Sequence, residues 1–578
     1  MRSKLLKFFK IVVFLINRMK KYFEELISFI KKEKPSKRQL NNVKIALCSK
    51  YKVKKIPTDI EVLCNAEKDD VEFLNKYLMT KPTRTISGVA VIAIMSAPHA
   101  CPHGKCIYCP GGIGSFFGDV PQSYTGREPS TMRGIRNDYD SYRVVFNRLE
   151  QYIVLGQNPQ KAEIIIMGGT FPSFDKQYKE EFVNYIFKAM NDFSREFYKE
   201  GKIDIQKFRD FFELPGTVKD KERENKIKKK VLALKKKNLK TLEQEKKLNE
   251  TSQIRCVGLT IETKPDWGLL EQGNEMLEFG CTRVELGIQT VYDSVLKKIN
   301  RGHGLKESIQ SIRTLKDLGF KLNFHIMPGL PGVSIKQDLE SLKTVFDNSD
   351  FQPDMLKIYP TLIMAGTPLF EMYKKGLYKP METKDAAKLI VETKRFIPKY
   401  CRIMRIQRDI PTNATKGGVD KTNLRQYVQV LQKKEDVKCN CIRCREIKGE
   451  KIVGAVSFEI IEYNASRGKE FFISLVDKAD NLVGFCRLRF PSQSLRAEIT
   501  KTSAIIRELH VYGTAIALGE TGVVQHKGFG KRLLEEAEKI ARKHKKNKLL
   551  VISGVGVKEY YKKFGYVDDG PYVSKNIQ

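Results

Sequence analysis

The sequence predicts an α/β protein: a parallel (β/α) barrel, partial or complete, followed by a mixed α/β domain and preceded by a helical, basic N-terminal region. Three observations predict it. Short β-branched apolar runs recur at Val89–Met95, Glu163–Met167, Ile254–Ile261, Arg283–Ile288, Lys321–Met327 and Met355–Tyr359, with a weaker one at Arg402–Ile406. Helical patterns such as Lys176–Phe193 and Gly304–Leu318 lie between most of them, the alternation of parallel βα units. From about Gly468 the periodicity becomes that of antiparallel strands. These changes divide the chain into an extension (1–18), a basic region (19–84), the barrel (85–410, with an insertion at about 199–250), a linker (411–467) and the final domain (468–578).

The N-terminal stretch Leu5 to Ile16 is too short to cross a bilayer, which needs about twenty apolar residues, and Lys7 and Lys10 interrupt it. No small-residue cleavage site follows, and Met19 reads equally well as a start. In residues 19–80, Tyr22, Phe23, Leu26, Ile27, Phe29 and Ile30 recur at helical spacing among lysines. The formal charge of +36 is concentrated: residues 1–55 carry a net +14 and residues 219–248 a net +8. Such patches favour a polyanionic partner, nucleic acid before membrane, through phosphate contacts that do not read sequence. For the Lys/Glu-rich insertion, a solvated helical hairpin is an equal alternative. Of the twelve cysteines, six fall in two tight clusters and several others lie in apolar runs, as in a reducing compartment; the expectation is a cytoplasmic protein without membrane attachment.

The first cluster, CPHGKCIYC, follows the first strand and offers Cys101, Cys106 and Cys109 as ligands. Three thiolates suit an iron–sulfur cluster with one open iron, whereas a zinc knuckle would need His99 or His103 as a fourth ligand. Polar and glycine-rich residues follow the later strands, at Gly168-Gly169-Thr170, Glu262-Thr263-Lys264, Gln289 and Pro328–Gly332. Parallel barrels carry their chemistry at those ends. The second cluster offers Cys439, Cys441 and Cys444, a spacing that favours structural zinc over free thiols, with a redox role third. Its fourth ligand is not apparent; His510 and His526 are candidates.

In the final domain, Glu470–Val476 and Leu482–Phe490 read as a hairpin and Ala504–Tyr512 as a further strand. QHKGFG (525–530) then opens the amphipathic helix Arg532–Lys543, and glycines at a helix start leave N–H groups free for a phosphate.

A three-cysteine loop after the first strand and a GGT after the second resemble the radical S-adenosylmethionine (SAM) enzymes. The resemblance implies that Cys101, Cys106 and Cys109 hold a [4Fe-4S] cluster and that Gly168, Gly169, Thr170, Glu262 and Gln289 contact SAM. The family's usual spacing is C-x3-C-x2-C, so the extra residue here is a departure. The final domain resembles the GNAT acetyltransferases, which implies acetyl-CoA as co-substrate. Phe529, Gly530 and Lys531 would then hold its pyrophosphate, Glu508, Leu509, His510 and Val511 its pantetheine and acetyl portion, and Tyr561 its sulfur or acetyl group. Tyr560 is the alternative core tyrosine.

The ordered set of MGGTFPS (167–173), LGIQT (286–290), CNCIRCREI (439–447) and RELHVYG (507–513) is similar to the catalytic-subunit family of Elongator in its archaeal single-protein form, over residues 19–578. That resemblance implies a tRNA-modifying acyltransferase, dependent on a SAM-derived radical, that builds 5-carboxymethyluridine at the wobble uridine. It also implies that Lys161 reaches acetyl-CoA from the radical domain; an exposed strand-entry lysine is the plain alternative. A homodimer is left open, and other Elongator-type subunits are not implied. The competing readings are a protein lysine acetyltransferase with a structural cluster and a tRNA-binding scaffold without catalysis. A basic enzyme facing basic protein tails would be electrostatically awkward.

Overall fold

The computed structural model describes residues 2–53, 56–67, 70–78, 88–214, 216, 220–447, 451–513 and 528–578. The N-terminal region is helical. Helix α1 (Arg2–Glu33) and helix α2 (Lys37–Lys50) pack through Tyr22, Leu26, Ile30, Leu40 and Leu47 into a small core of their own. Ser36 and Gln39 form a capping box at the start of α2. Among the described residues, no helix is long and apolar enough to cross a membrane.

Seven parallel strands follow: β1 (Val89–Met95), β2 (Lys161–Met167), β3 (Arg255–Thr263), β4 (Arg283–Gln289), β5 (Lys321–Ile326), β6 (Met355–Ile358) and β7 (Arg402–Arg405). They pair in chain order, so each connection is a right-sized crossover carrying helix over the outer face. Strands β1 and β7 do not pair, so the barrel is open. Helix α3 (Lys176–Phe197), capped by Asp175 on the Tyr178 amide, buries Phe182, Val183, Ile186, Phe187 and Phe193 against this sheet. The basic insertion folds onto α3. Asn249 fixes it there, donating to Asn191 Oδ1 and Ile254 O and accepting from the Cys256 amide.

The second sheet has the order β8-β9-β10-β11-β12-β14-β13, where β8 is Ser457–Ala465, β9 Gly468–Val476, β10 Leu482–Phe490, β11 Ser503–Val511, β12 Lys548–Val551, β13 Val567–Asp569 and β14 Tyr572–Asn576. All pairs are antiparallel except β11 with β12. Strand β8 lies in the stretch that the sequence reading left in the linker; it pairs with β9 along its whole length. Helix α4 (Phe529–Lys543) packs Leu533, Leu534, Ala537 and Ala541 on the sheet.

The two sheets are joined by buried charges. Arg507 forks onto Asp354, at 2.5 and 2.8 Å, and also reaches Glu470 Oε2 at 3.0 Å. Arg489 binds Asp317 Oδ1 at 2.5 and 2.9 Å and Glu470 Oε1 at 2.9 Å. Arg487 lies 2.9 Å from Glu508 and 3.5 Å from Asp354, and Lys316 lies 3.6 Å from Glu470. Asp354 and Glu470 are wholly buried, and burial would raise both; the surrounding cations, Arg507 foremost, hold them below the usual carboxylate range.

Removing one member leaves the others charged and dry. Asp354→Ala is therefore expected to lower stability by about 3–5 kcal/mol. Lys469→Ala, which breaks an exposed pair with Glu462, should cost about 0–1 kcal/mol. Denaturant unfolding of the intact chain, followed by fluorescence, compares the two; equal midpoints would show that the network does not hold the domains.

Candidate active site

The loop after β1 brings Cys101, Cys106 and Cys109 to the C-terminal end of the barrel. Cys101 Sγ lies 3.8 Å from Thr170 Oγ1. Cys106 Sγ is 3.4 Å from His103 Nε2 and 3.7 Å from an Arg301 nitrogen, and Cys109 Sγ accepts from the Ser123 amide. Burial raises the Cys101 and Cys109 thiols, the latter to about 11. The buried cations Arg301 and Lys264 stand where deprotonated ligands would need them. His103 is occupied by Cys106 and by Lys264 Nζ, 2.9 Å from its Nδ1. The three sulfurs do not close to within 4.8 Å of one another. A single zinc, with Zn–S near 2.3 Å, would draw them to roughly 3.8 Å; a cluster, itself several ångström across, would not. The donor set fits an iron–sulfur cluster and not a zinc knuckle.

Cys101, Gly169, Thr170, Glu262 and Gln289 line one cavity of about 120 Å³. Gly169 has φ +100°, and a Cβ there would meet Gln122 at 2.9 Å. Gly168 stands behind the wall: its φ is +129°, and a Cβ would collide with Ser96 Oγ. Glu262 accepts from Tyr124 Oη at 2.9 Å. Gln289 adopts φ +70°, and among the described residues its buried Oε1 has no partner, as expected of a group that waits for a ligand.

The sequence reading missed a second set of groups on this cavity. Glu285 accepts from Asn323 Nδ2 at 3.1 Å, from His325 Nε2 at 2.9 Å and from Lys357. Lys357 Nζ also lies 3.8 Å from Glu262. Burial alone would raise Glu285, but Lys357, with His325 and Arg283, holds it well below the usual carboxylate range. Oxygen and nitrogen atoms of Glu262, Glu285 and His325 approach within 4.8 Å, and Lys357 supplies the positive charge among them. The signal was present: Arg283, Glu285 and Gln289 alternate with Val284, Leu286 and Ile288, so one face of an apparently apolar strand is polar.

A second cavity, about 690 Å³, lies between the two domains. It is lined by Lys161, Glu163, Arg283 and Met355 from the first halves of the barrel strands, and by Glu508, Leu509 and His510 from β11. The 120 Å³ cavity is lined by Met167, Glu262, Glu285 and Lys357 of the same strands. Two residues advance a strand by about 6.6 Å, so the cavities are opposite ends of one barrel lumen. Arg283, 2.6 Å from Glu163 and 3.8 Å from Glu285, spans the boundary.

Lys161, at the first position of β2, also lines this cavity, where partial desolvation and then Arg255 lower its pKa. Strand β11 pairs with β12 only from Ser503 to Ile506. Beyond that point Glu508–Val511 leave β12, and among the described residues their backbone edge is open for an amide-bearing chain to pair with. Glu508 is held below its usual range: Lys321 and Arg487 outweigh the effect of burial.

Two residues are placed otherwise than expected. Tyr561 does not face the cavity: it is 5% exposed, in the core of the second sheet, and the adjacent Tyr560 lines the cavity instead. His510 is not among the residues that converge at the second cysteine cluster; it lines the cavity, beside Phe485 and Tyr512. Of the expected pyrophosphate residues, Phe529 is buried core, Gly530 lies under the Tyr560 hydroxyl, and Lys531 pairs with Glu535 in solvent. Residues 525–527 of that motif, His526 included, lie outside the described residues.

Cys439, Cys441 and Cys444 do converge, with sulfurs within 4.8 Å of one another, and Lys394 Nζ lies 3.7 Å from Cys444 Sγ. Hydrogen bonds from Cys439 and Cys444 lower the Cys441 thiol below its ordinary value.

Comparison with known proteins accounts for each part. Residues 95–345 match the radical SAM superfamily, 353–435 the radical SAM C-terminal domain, 19–86 the ELP3 N-terminal domain and 462–577 the acetyltransferase (GNAT) domain. A tRNA uridine(34) acetyltransferase of Methanocaldococcus jannaschii is 42% identical over 90% of this chain and 91% of its own length. Elongator complex protein 3 of Saccharomyces cerevisiae is 38% identical over 93% and 92%. The solved structure of Methanocaldococcus infernus Elp3 with an N-terminal deletion covers 85% of this chain and 100% of its own, with TM-score 0.69 and 36% identity. With the open barrel, the three-cysteine loop and the acetyltransferase sheet in one order, the chain belongs to the Elongator complex protein 3 family of radical SAM acetyltransferases.

Proposed function

We propose that this chain modifies the wobble uridine of tRNA, forming 5-carboxymethyluridine from acetyl-CoA with SAM as radical source. One observation carries the reading: the candidate acetyl-CoA cavity and the candidate SAM cavity are two ends of the same lumen, lined by the same strands. An acyl arm laid along Glu508–Val511 and past Lys161 points its acetyl end toward Cys101. Cys101, Cys106 and Cys109 would hold the [4Fe-4S] cluster. Gly168–Thr170, Glu262 and Gln289 would position SAM. When bound, cluster and SAM supply a carbon radical able to attack the unactivated C5 of uridine, which ordinary acyl transfer cannot alkylate. The barrel walls exclude water from it.

The tRNA role is supported by the name that the Methanocaldococcus jannaschii relative bears and by the charge of the N-terminal helices and the insertion. The relatives give no support to a protein lysine acetyltransferase. Eleven described cysteines are free thiols, in keeping with a reducing, cytoplasmic compartment. At Cys439, Cys441 and Cys444 we propose structural zinc, since their close approach suits a single ion.

Anaerobic reconstitution with iron and sulfide, followed by SAM, acetyl-CoA and tRNA, should release 5′-deoxyadenosine and CoA together and add a carboxymethyl group to one uridine. Cys106→Ala should abolish all three; a tRNA product that persists in this variant would refute the radical route. Metal analysis of Cys441→Ser should show loss of zinc with the iron of the first site retained. Loss of iron and sulfide there instead would assign a second cluster.

A further inference from the structure

In the proposed reaction, addition of the carbon radical to C5 leaves that carbon tetrahedral, still bearing its hydrogen, with an unpaired electron at C6. The uracil ring is restored only when the C5 hydrogen leaves as a proton. Some group on the cavity must take it.

His325 meets the geometric requirements of such a base. Its ring lines the cavity that also contains Cys101, Thr170 and Gln289. Its Nε2 lies 2.9 Å from Glu285 Oε2. A carboxylate only accepts, so Nε2 carries the hydrogen and, in the neutral ring, Nδ1 carries the lone pair. Among the described residues Nδ1 has no hydrogen-bond partner. Glu285 is in turn fixed by Lys357 and Asn323, and the ring edge packs on Tyr359 at 5.4 Å between centroids. A base oriented through its other nitrogen by a buried carboxylate is the arrangement that proton abstraction needs.

We infer that His325 is a catalytic residue that removes the uridine C5 proton after radical addition, with Glu285 as its positioning residue; this rests on the function proposed above. The step balances. The C5–H bond breaks and its proton goes to Nδ1. Of the bonding pair and the unpaired C6 electron, two electrons form the C5=C6 double bond. The third leaves to a one-electron acceptor of the iron–sulfur class. Burial, then the charge of Lys357, lowers the His325 pKa from its ordinary value, so the imidazole is neutral at physiological pH. The charged and titratable groups around it include Glu285, Lys357, Tyr359, Glu262 and Arg405, and Lys357 is the main charge opposing a proton there.

The test uses the reconstituted full-length enzyme with tRNA carrying tritium at uridine C5. Wild-type enzyme is expected to release tritium to water in step with product. In His325→Gln, tritium release should fall at least about a hundredfold relative to 5′-deoxyadenosine formation, the lower bound of a general-base contribution being about 10²-fold. Mass spectrometry of the nucleosides should then detect the 5,6-dihydro form of the carboxymethylated base, two mass units heavier. An unchanged ratio of tritium to 5′-deoxyadenosine overturns the assignment, whether both fall or neither does. The wild-type pH profile gives a second measurement that needs no variant. Protonating the imidazole should suppress tritium release on an acid limb below pH 6.5 that 5′-deoxyadenosine formation does not share; a common limb overturns the assignment. Wild-type enzyme that forms 5′-deoxyadenosine but never loses tritium would instead refute the carboxymethylation reading itself.

Discussion

The arrangement of both cavities depends on the buried ion network between the sheets. The barrel contributes Lys316, Asp317 and Asp354; the second sheet contributes Glu470, Arg487, Arg489, Arg507 and Glu508. The first set carries a net −1 and the second a net +1, so neither face is neutral until they meet. An apolar interface of the same area would be easier to desolvate. It would also tolerate sliding, because the hydrophobic effect has no direction. Forked guanidinium–carboxylate pairs do not slide without leaving dry, unpaired charges. The network therefore fixes which edge of the second sheet faces the N-terminal ends of the barrel strands.

That alignment sets both cavities on the same barrel strands. Charged side chains inside a barrel are costly unless each finds a partner, and here they do so in layers. Glu163 meets Arg283, Arg283 approaches Glu285, Glu285 binds Lys357 and His325, and Lys357 approaches Glu262. The series begins at the interdomain cavity and ends at the three-cysteine loop. A core built only for stability would fill this space with branched aliphatic residues, as closed barrels commonly do. The polar filling marks a path for polar ligands.

Much of the fold was legible because the barrel strands are short, β-branched and bounded by glycines. What the sequence concealed lies in alternation at single positions. RVELGIQ reads as an apolar run, since Val284, Leu286 and Ile288 outweigh its polar residues; only the pleat separates Glu285, which faces the lumen, from the side chains that face the helices. Strand β8 was missed for the opposite reason. It is an edge strand with exposed residues at most positions, so it lacks the apolar signal of an interior strand. The choice between Tyr560 and Tyr561 was not decidable by spacing, because adjacent residues on one helical turn point about 100° apart and only the packing of that turn selects the inward one. His325 carried no motif; its role follows from the carboxylate beside it.

The strained backbone of the site has the same origin. Gln289 ends β4 with φ +70°, and the pairing of β4 with β5 shifts register between Leu286 and Gln289. Gly168 and Gly169 end β2 with positive φ. Such conformations persist only where the surroundings over-determine them. Here Ser96 and Gln122 fill the space above the glycines, and Met327 binds the Gln289 carbonyl. These contacts turn the strand ends inward over the cysteine loop. The barrel can thus place the candidate SAM-binding groups by itself. The candidate acetyl-CoA groups Glu508–Val511 belong to the other sheet. A single chain joined by a directional, buried charge network is a physical solution to that separation: each domain shapes half of the site, and the interface sets the distance between the halves.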